Sequence, residues 1–324
     1  MNTSEITGQT DEVVYSVVIP VYTNEATLGD AIARLTEVST RLPGRLEAVF
    51  VVDGSPDGSL AVLQRLLPEA SIASQLLVHS RNFGSFAAIR TGMAVARGRY
   101  IGVMAADLQE PPELMEQFFA VLAKDEADIV VGRRESRADP AITSVMSRTF
   151  WGLYRRVINP SIPRGGVDVF GCTREVAGHL LALSEAHSSL VGLLYWVGFR
   201  RAEVPYSRVE RTTGKSGWTF HKRVRYLLDS VFSFTDIPIS MLSTTGLVGG
   251  LLTILASIVV FISWVSGRVT EVGYTPLMLV MLFSTFTLLS GLGVVGSYVW
   301  RAYENSKGRP MSVPMSREIF DVDR

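Results

Sequence analysis

Asp107 begins the run Asp-Leu-Gln-Glu-Pro-Pro, directly after the apolar stretch 100–106. A carboxylate at the carboxyl end of a strand, upstream of two long charge-free segments, points to chemistry on an anionic substrate at a lipid surface. Three more polar runs follow apolar stretches in the same way. They are Pro20-Val21-Tyr22-Thr23-Asn24-Glu25, Asp53-Gly54-Ser55-Pro56-Asp57-Gly58-Ser59 and Arg81-Asn82-Phe83-Gly84. Taken singly, each also reads as local structure: Asp-Gly-Ser-Pro-Asp-Gly suits a tight turn, Asp57 can cap a helix, and Pro111-Pro112 can start one. Four polar loops at consecutive strand ends, converging on one edge, are harder to explain as turns alone.

The elements that must carry these loops are legible as periodicities. Short apolar runs rich in β-branched residues predict strands over 15–21, 48–52, 75–79, 100–105 and 128–132, with helical patterns between them, as over 27–40 and 86–97. Strands alternating with helices imply an α/β fold, a mostly parallel sheet with helices on both faces. Ligands of such sheets bind beyond the carboxyl ends of the strands.

Composition bounds the function. The 324 residues suggest about two domain-sized units at roughly 150 residues each. Lys and Arg number 31, as do Asp and Glu, so no overall basic field points to nucleic acid. A single cysteine, Cys172, forms no internal disulfide and fits a reducing compartment, with a small core residue as its bland reading. His79, His179, His187 and His221 are far apart and lack HExxH or Cys-x-x-Cys company, which argues against a histidine metal site. Residues 1–14 are polar, without the pattern of a signal peptide, and read as a disordered lead-in left in the cytoplasm.

The C-terminal third differs. No charge occurs over 237–267 or over 272–300, and each run exceeds the roughly 20 residues needed to cross a bilayer. Two transmembrane helices are therefore expected, near 239–264 and 276–300. His221, Lys222, Arg223 and Arg225 precede them, and Arg301, Lys307 and Arg309 follow, while the intervening loop holds Arg268 against Glu271. The positive-inside rule then leaves both chain ends, including a 301–324 tail, in the cytoplasm. Over 213–238, Trp218, Phe220, Val224, Leu227, Leu228 and Val231 recur at helical spacing opposite Lys222, Arg223 and Arg225. That pattern predicts an interfacial amphipathic helix, or an ordinary helix packed on the globular domain.

Taken as a set, the loop motifs, together with Gly165-Gly166-Val167-Asp168-Val169-Phe170, resemble family 2 glycosyltransferases of the GT-A fold, here over 15–212. Val197-Gly198-Phe199-Arg200, Val204-Pro205-Tyr206, Arg211-x-x-Gly214-Lys215-Ser216, the charge-free runs and Lys307-Gly308-Arg309-Pro310 narrow the resemblance. Beyond the lead-in, the chain is similar to polyprenyl-phosphate glycosyltransferases, the group of dolichyl-phosphate mannose synthases and bacterial undecaprenyl-phosphate glucosyltransferases. The resemblance implies an integral protein of the bacterial inner membrane with a cytoplasmic catalytic domain, and tetramers occur in that group.

The resemblance also assigns roles. Pro20, Tyr22, Glu25, Asp53, Ser55, Arg81, Asn82 and Asp107 would bind the nucleotide-sugar, a UDP- or GDP-hexose. Asp107, with Gln109 as companion, would hold Mg²⁺ or Mn²⁺ against the diphosphate leaving group. Asp168 is the candidate catalytic carboxylate, as base or orienting group, with a structural loop residue as the alternative. Two phosphate-bearing substrates repel each other, so Arg133, Arg134, Arg211 and Lys215, with Ser216, are the candidate phosphate and acceptor ligands; solvated surface charge is the other reading of each arginine. The chain departs from the family at Ala105, where Asp-x-Asp has its first carboxylate, at Val52 beside Asp53, and at Gly217, where lysine is common. A lipid phosphate has a second pKa of about 6 and needs little help from a base. The expected reaction is a single displacement with inversion at the anomeric carbon of the sugar. A saccharide acceptor is the second enzyme reading, disfavoured because Gln-x-x-Arg-Trp is absent. A membrane scaffold that has lost catalysis is the third.

Overall fold

The computed structural model describes residues 12–135, 152, 156, 160–163, 166–183, 185, 188–208, 228–232, 234–235, 237–266 and 274–322. The chain divides into two compact units, one of residues 1–222 with 310–324 and one of residues 223–309.

The first unit is built on an eight-stranded sheet. The strands are β1 (Val13–Val21), β2 (Arg45–Val52), β3 (Ala73–His79), β4 (Tyr100–Val103), β5 (Ile129–Arg134), β6 (Phe170–Thr173), β7 (Arg201–Tyr206) and β8 (Pro314–Phe320). Their order is β7-β5-β6-β4-β1-β2-β3-β8. The pairs β1–β2, β1–β4, β2–β3 and β5–β7 are parallel, whereas β6 is antiparallel to β4 and β5, and β8 is antiparallel to β3. The sheet is thus mixed, more so than alternation of strands and helices implied. Reversal of β6 has a consequence for the site. Phe170, at its start, pairs with Val103, the last residue of β4, and with Val131 midway along β5, so the segment entering β6 lies toward the edge where the parallel strands finish.

Helices α1 (Leu28–Arg41), α2 (Ser59–Leu66), α3 (Ser85–Val95), α4 (Leu114–Ala123), α5 (Arg174–Ala182) and α6 (Leu190–Trp196) complete the unit. Strand alternation distributes them over the two faces. Tyr15, Val17, Ile19 and Val21 of β1 enter a core with Leu28, Ile32, Leu35 and Val38 of α1, Leu63 of α2, and Met115, Phe118 and Phe119 of α4. Val18 faces the other way, onto α3, where a Cβ on Gly92 would come within 2.3 Å of its side chain. That close approach explains a glycine in the middle of a helix, at a propensity cost of about 1 kcal/mol.

Strand β8 is fastened through buried polar groups. Arg317 donates to Gln75 Oε1 at 2.8 and 3.0 Å, Gln75 donates to Glu47 Oε2 at 2.9 Å, and fully buried Glu47 accepts from Ser16 at 2.7 Å and Arg97 Nε at 2.7 Å. Arg97 also reaches Asp321 beyond the strand, at 3.1 Å. A buried carboxylate is tolerated because each oxygen has donors.

The second unit contains α7 (Ile237–Val265) and α8 (Tyr274–Ser306). Both expose large apolar side chains, among them Leu247, Leu251, Leu288 and Leu292. Among the described residues, however, no helix is long and apolar enough to cross a membrane. This corrects the expectation of two transmembrane helices and, with it, of an integral inner-membrane protein with a cytoplasmic catalytic domain. Absence of charge is a weaker condition than apolarity. The helix α7 carries Ser240, Ser243, Thr244, Thr245, Gly246, Gly249 and Gly250, and α8 runs on into Arg301 and Glu304. Most of the expected interfacial helix, residues 213–227, lies outside the described residues.

Candidate functional site

The loops after β1 and β2 are stitched to each other. Thr23 N–H donates to Ser55 Oγ at 2.8 Å, Glu25 N–H to Asp57 Oδ2 at 3.1 Å, and Gly58 N–H to Glu25 Oε2 at 2.9 Å. Asp57 also accepts from the Ser55 hydroxyl at 2.6 Å and Ser59 N–H at 3.2 Å. Burial pushes the Asp57 carboxyl up, but these hydrogen bonds outweigh it and hold the group below its ordinary value. Glu25 and Ser55 therefore spend their polar atoms on the two loops, whereas the Tyr22 ring is exposed.

Asp53, at the end of β2, is 2% exposed and saturated with donors. Its Oδ1 accepts from His79 Nδ1 at 2.8 Å and Phe83 N–H at 2.8 Å, and its Oδ2 accepts from Gly84 N–H at 2.7 Å. Burial favours the protonated form, yet the His79 and backbone hydrogen bonds prevail and lower the pKa of Asp53. Next to it, Gly54 has φ +58°, and a Cβ there would sit 2.4 Å from the backbone of Arg81 and Asn82. Only glycine lets the loop after β3 lie across this turn. On that loop, the Arg81 guanidinium stacks 3.9 Å over the Phe83 ring and donates to Asn82 O at 3.0 Å.

The loop after β4 joins a charged cluster. Leu108 has φ 55°, an uncommon conformation for a bulky residue, of the kind that collects at functional sites. It lets Gln109 N–H turn back onto Asp107 Oδ1 at 3.3 Å. Gln109 Oε1 accepts from Arg208, two residues past β7, and Arg208 Nε lies 3.4 Å from Glu110 Oε1. Glu110 is 1% exposed, and neither of its carboxylate oxygens accepts a hydrogen bond; the Arg208 contact is an ion pair without hydrogen-bond geometry. Burial, followed by the charge of Asp168 and with a smaller push from Asp107, raises the Glu110 pKa to about 7 against the pull of Arg208 and Arg134.

Asp168 arrives from the strand reversed in the sheet. It accepts from Arg134, whose side chain is 8% exposed, and from the Tyr206 hydroxyl at 3.3 Å. Arg134 and Tyr206 are register partners on β5 and β7. Burial, then the charges of Asp168 and Glu110, pushes the Tyr206 hydroxyl up, so it remains a donor. Arg133 takes the opposite face, as strand alternation requires, and pairs in the open with Glu203 at 3.3 Å and Glu135 at 4.0 Å. The structure thus brings Asp107, Gln109, Arg134 and Asp168 into one cluster and separates Arg133 from it. Arg211, Lys215 and Ser216 lie outside the described residues. Glu110, Tyr206, Arg208 and His79 are site residues that motif reasoning did not select. For Arg208 a signal existed, an arginine two residues after Val-Pro-Tyr.

No group of three or more His, Cys, Asp or Glu among the described residues is placed to hold a metal ion. Magnesium and manganese need fewer, since one or two carboxylates with substrate phosphates and water suffice. Asp107 is such a carboxylate, and Glu110, whose oxygens accept no hydrogen bond, is close enough to feel its charge.

Carboxylates and guanidinium groups alternating at the carboxyl ends of parallel strands define an α/β protein equipped for anionic ligands. Residues 16–176 match the model of glycosyl transferase family 2. An uncharacterized glycosyltransferase of Synechocystis is 32% identical over 91% of this chain and 93% of its own length. The bactoprenol glucosyl transferase of Shigella phage SfV is 29% identical over 91% of this chain and 96% of its own length. Among solved structures, glucosyl-3-phosphoglycerate synthase from Mycobacterium tuberculosis, in complex with Mn²⁺, UDP-glucose and phosphoglyceric acid, gives a TM-score of 0.46 at 16% identity, over 68% of this chain and 79% of that one. The chain belongs to glycosyl transferase family 2 and is a glycosyltransferase.

Proposed function

We propose that the protein moves a hexose from a UDP- or GDP-sugar to a polyprenyl phosphate, undecaprenyl phosphate being the expected acceptor, with inversion at the anomeric carbon. The relatives that carry the name bactoprenol glucosyl transferase support the acceptor, since the likeness runs over nine-tenths of the chain. The observation that carries the reading is the cluster itself, in which Arg134 and Arg208 stand among Asp107, Glu110 and Asp168.

The chemistry follows from charge. The acceptor phosphate is largely dianionic at neutral pH and is itself the nucleophile. Arg134 and Arg208, held in place by Asp168, Gln109 and Glu110, supply charged donors for phosphate oxygens. Asp168 has one oxygen tied to Arg134 and Tyr206, which fixes its carboxylate beside the reacting groups as an orienting group. Asp107, with Gln109 beside it, would hold a magnesium or manganese ion. Bound there, such an ion would neutralise charge developing on the diphosphate leaving group. Pro20, Tyr22 and the loop Arg81–Gly84 line the same edge and are assigned to the nucleoside.

The test is purified protein with undecaprenyl phosphate in detergent micelles, offered labelled UDP- and GDP-hexoses with magnesium or manganese. Label entering the lipid fraction with wild-type protein and not with Asp107→Ala is the expected result. Label entering an added saccharide instead would overturn the acceptor.

A further inference from the structure

A chain of buried and half-buried polar contacts leads from the C-terminal segment to the loop assigned to the donor. Ser312 Oγ lies 2.7 Å from Thr91 Oγ1, which lies 2.9 Å from His79 Nε2 and 3.0 Å from the Ala87 carbonyl, and His79 Nδ1 lies 2.8 Å from Asp53. Asp53 ends the chain on the amides of Phe83 and Gly84. His79 is 1% exposed, its ring meets the Phe83 ring edge-on at 5.5 Å, and it stands where the pairing of β3 with β8 shifts register. Ser80 N–H donates to Val313 O at 3.0 Å and anchors the segment beside it. An imidazole held from both sides fixes the orientation of the carboxylate it touches, and that carboxylate in turn holds two successive amides of a loop whose backbone passes close over Gly54. None of the contacts just named involves Asp107, Glu110 or Asp168.

We propose that Ser312, Thr91 and His79 are positioning residues that act through Asp53 to set the Arg81–Gly84 loop, so that the segment after Arg309 is a working part of the donor site. The proposal rests on the reading of that loop as a nucleotide-sugar contact. The segment just before β8 thereby supplies the outermost hydroxyl of the network.

The experiment uses the full chain with Thr91→Val, Ser312→Ala and Ser312→Thr. Amide hydrogen exchange at Phe83 and Gly84 is followed in the free protein, alongside calorimetric titration with UDP and with GDP and, in the transfer assay, donor KM against kcat. Each broken hydrogen bond is worth about a fivefold change. Exchange at both amides should quicken by up to about fivefold in Ser312→Ala, which breaks one contact, and by at least as much in Thr91→Val, which breaks two, with β1 amides unaffected. Nucleotide affinity and donor KM should weaken by about the same factor while kcat stays within twofold, and Ser312→Thr should restore both. Unchanged exchange in either hydroxyl-free variant overturns the proposal, as do loosened amides with undiminished nucleotide affinity. Should wild-type protein bind neither nucleotide, the donor reading fails on its own, and the exchange data still decide whether the chain positions the loop. If Thr91→Val does not fold, half-buried Ser312 gives the same answer from the edge of the network.

Discussion

The two halves of the edge are built on opposite electrostatic plans. Around Asp53 both carboxylate oxygens have donors and the pKa is lowered, although Thr23 in the adjoining loop has φ 56° just as Leu108 has a positive φ on the other side. Around Glu110 a buried carboxylate lacks hydrogen bonds, a leucine occupies the left-handed region, and the pKa is raised. The first half is complete as it stands. The second stores unfavourable contacts of the sort a cationic or hydrogen-bonding ligand would relieve, which is the usual mark of a site where charge is to be handled.

Four substitutions would break or sharpen that contrast. The largest effect should come from Asp107→Ala, which removes the carboxylate beside the leaving group and should lower the transfer rate about a hundredfold with little change in melting temperature. Comparable loss of stability instead would make Asp107 a structural residue like Asp53. On the completed side, Asp53→Asn places an amide donor against either the Gly84 or the Phe83 and His79 donors. It should cost on the order of 2–3 kcal/mol in urea unfolding at neutral pH. Because the folded-state pKa of Asp53 is lowered, this contribution is present above the unfolded carboxyl value and disappears as pH falls through the folded one, so the variant and the wild type should converge in acid.

Glu110 should show the reverse sign. Its pKa, raised from 4.5 to about 7, gives a stability contribution that is full below about pH 4.5 and lost as pH rises through 7. Relative to Glu110→Gln, the wild type should lose on the order of 3 kcal/mol between those limits, read by urea unfolding from pH 4 to 8. Parallel curves would mean that Glu110 is already satisfied. The smallest effect belongs to Leu108→Gly, where relief of the positive φ of Leu108 is partly offset by the added freedom of the unfolded chain, for a net gain of roughly 1 kcal/mol. A loss of stability would show that the Leu108 side chain, packed against the core, outweighs the backbone cost.

The completed half was the more legible in the sequence. Runs of β-branched residues marked β1 to β5 to within a few residues, since each strand is buried and reads as an apolar block, and the turn residues of Asp53–Ser59 declare themselves by type. Strand β8 was not legible: Pro-Met-Ser-Arg-Glu-Ile-Phe is mostly exposed at a sheet edge and has no alternation to see, and its partner β3 lies more than two hundred residues earlier. Asp107 and Asp168 stood out as charged residues in motif positions and Arg134 as a cation after the fifth strand, but the role of Glu110 depends on burial and on neighbours from β5, β6 and β7, which spacing along the chain does not encode. His79 was read only for its lack of metal-binding company, because its partners Asp53, Thr91 and Ser312 are brought to it by the fold. The charge-free C-terminal runs misled for the opposite reason, since a run can lack charge and still be rich in serine, threonine and glycine.

The most direct measurement separates donor binding from the transfer step in Arg208→Ala and Asp168→Asn. If the charged cluster handles the reacting phosphates while the Asp53 side holds the nucleoside, kcat for transfer to undecaprenyl phosphate should fall about a hundredfold in both, with UDP or GDP affinity within a few fold of wild type. Nucleotide affinity that collapses while kcat at saturating donor is retained would contradict the account and make the cluster a nucleoside pocket.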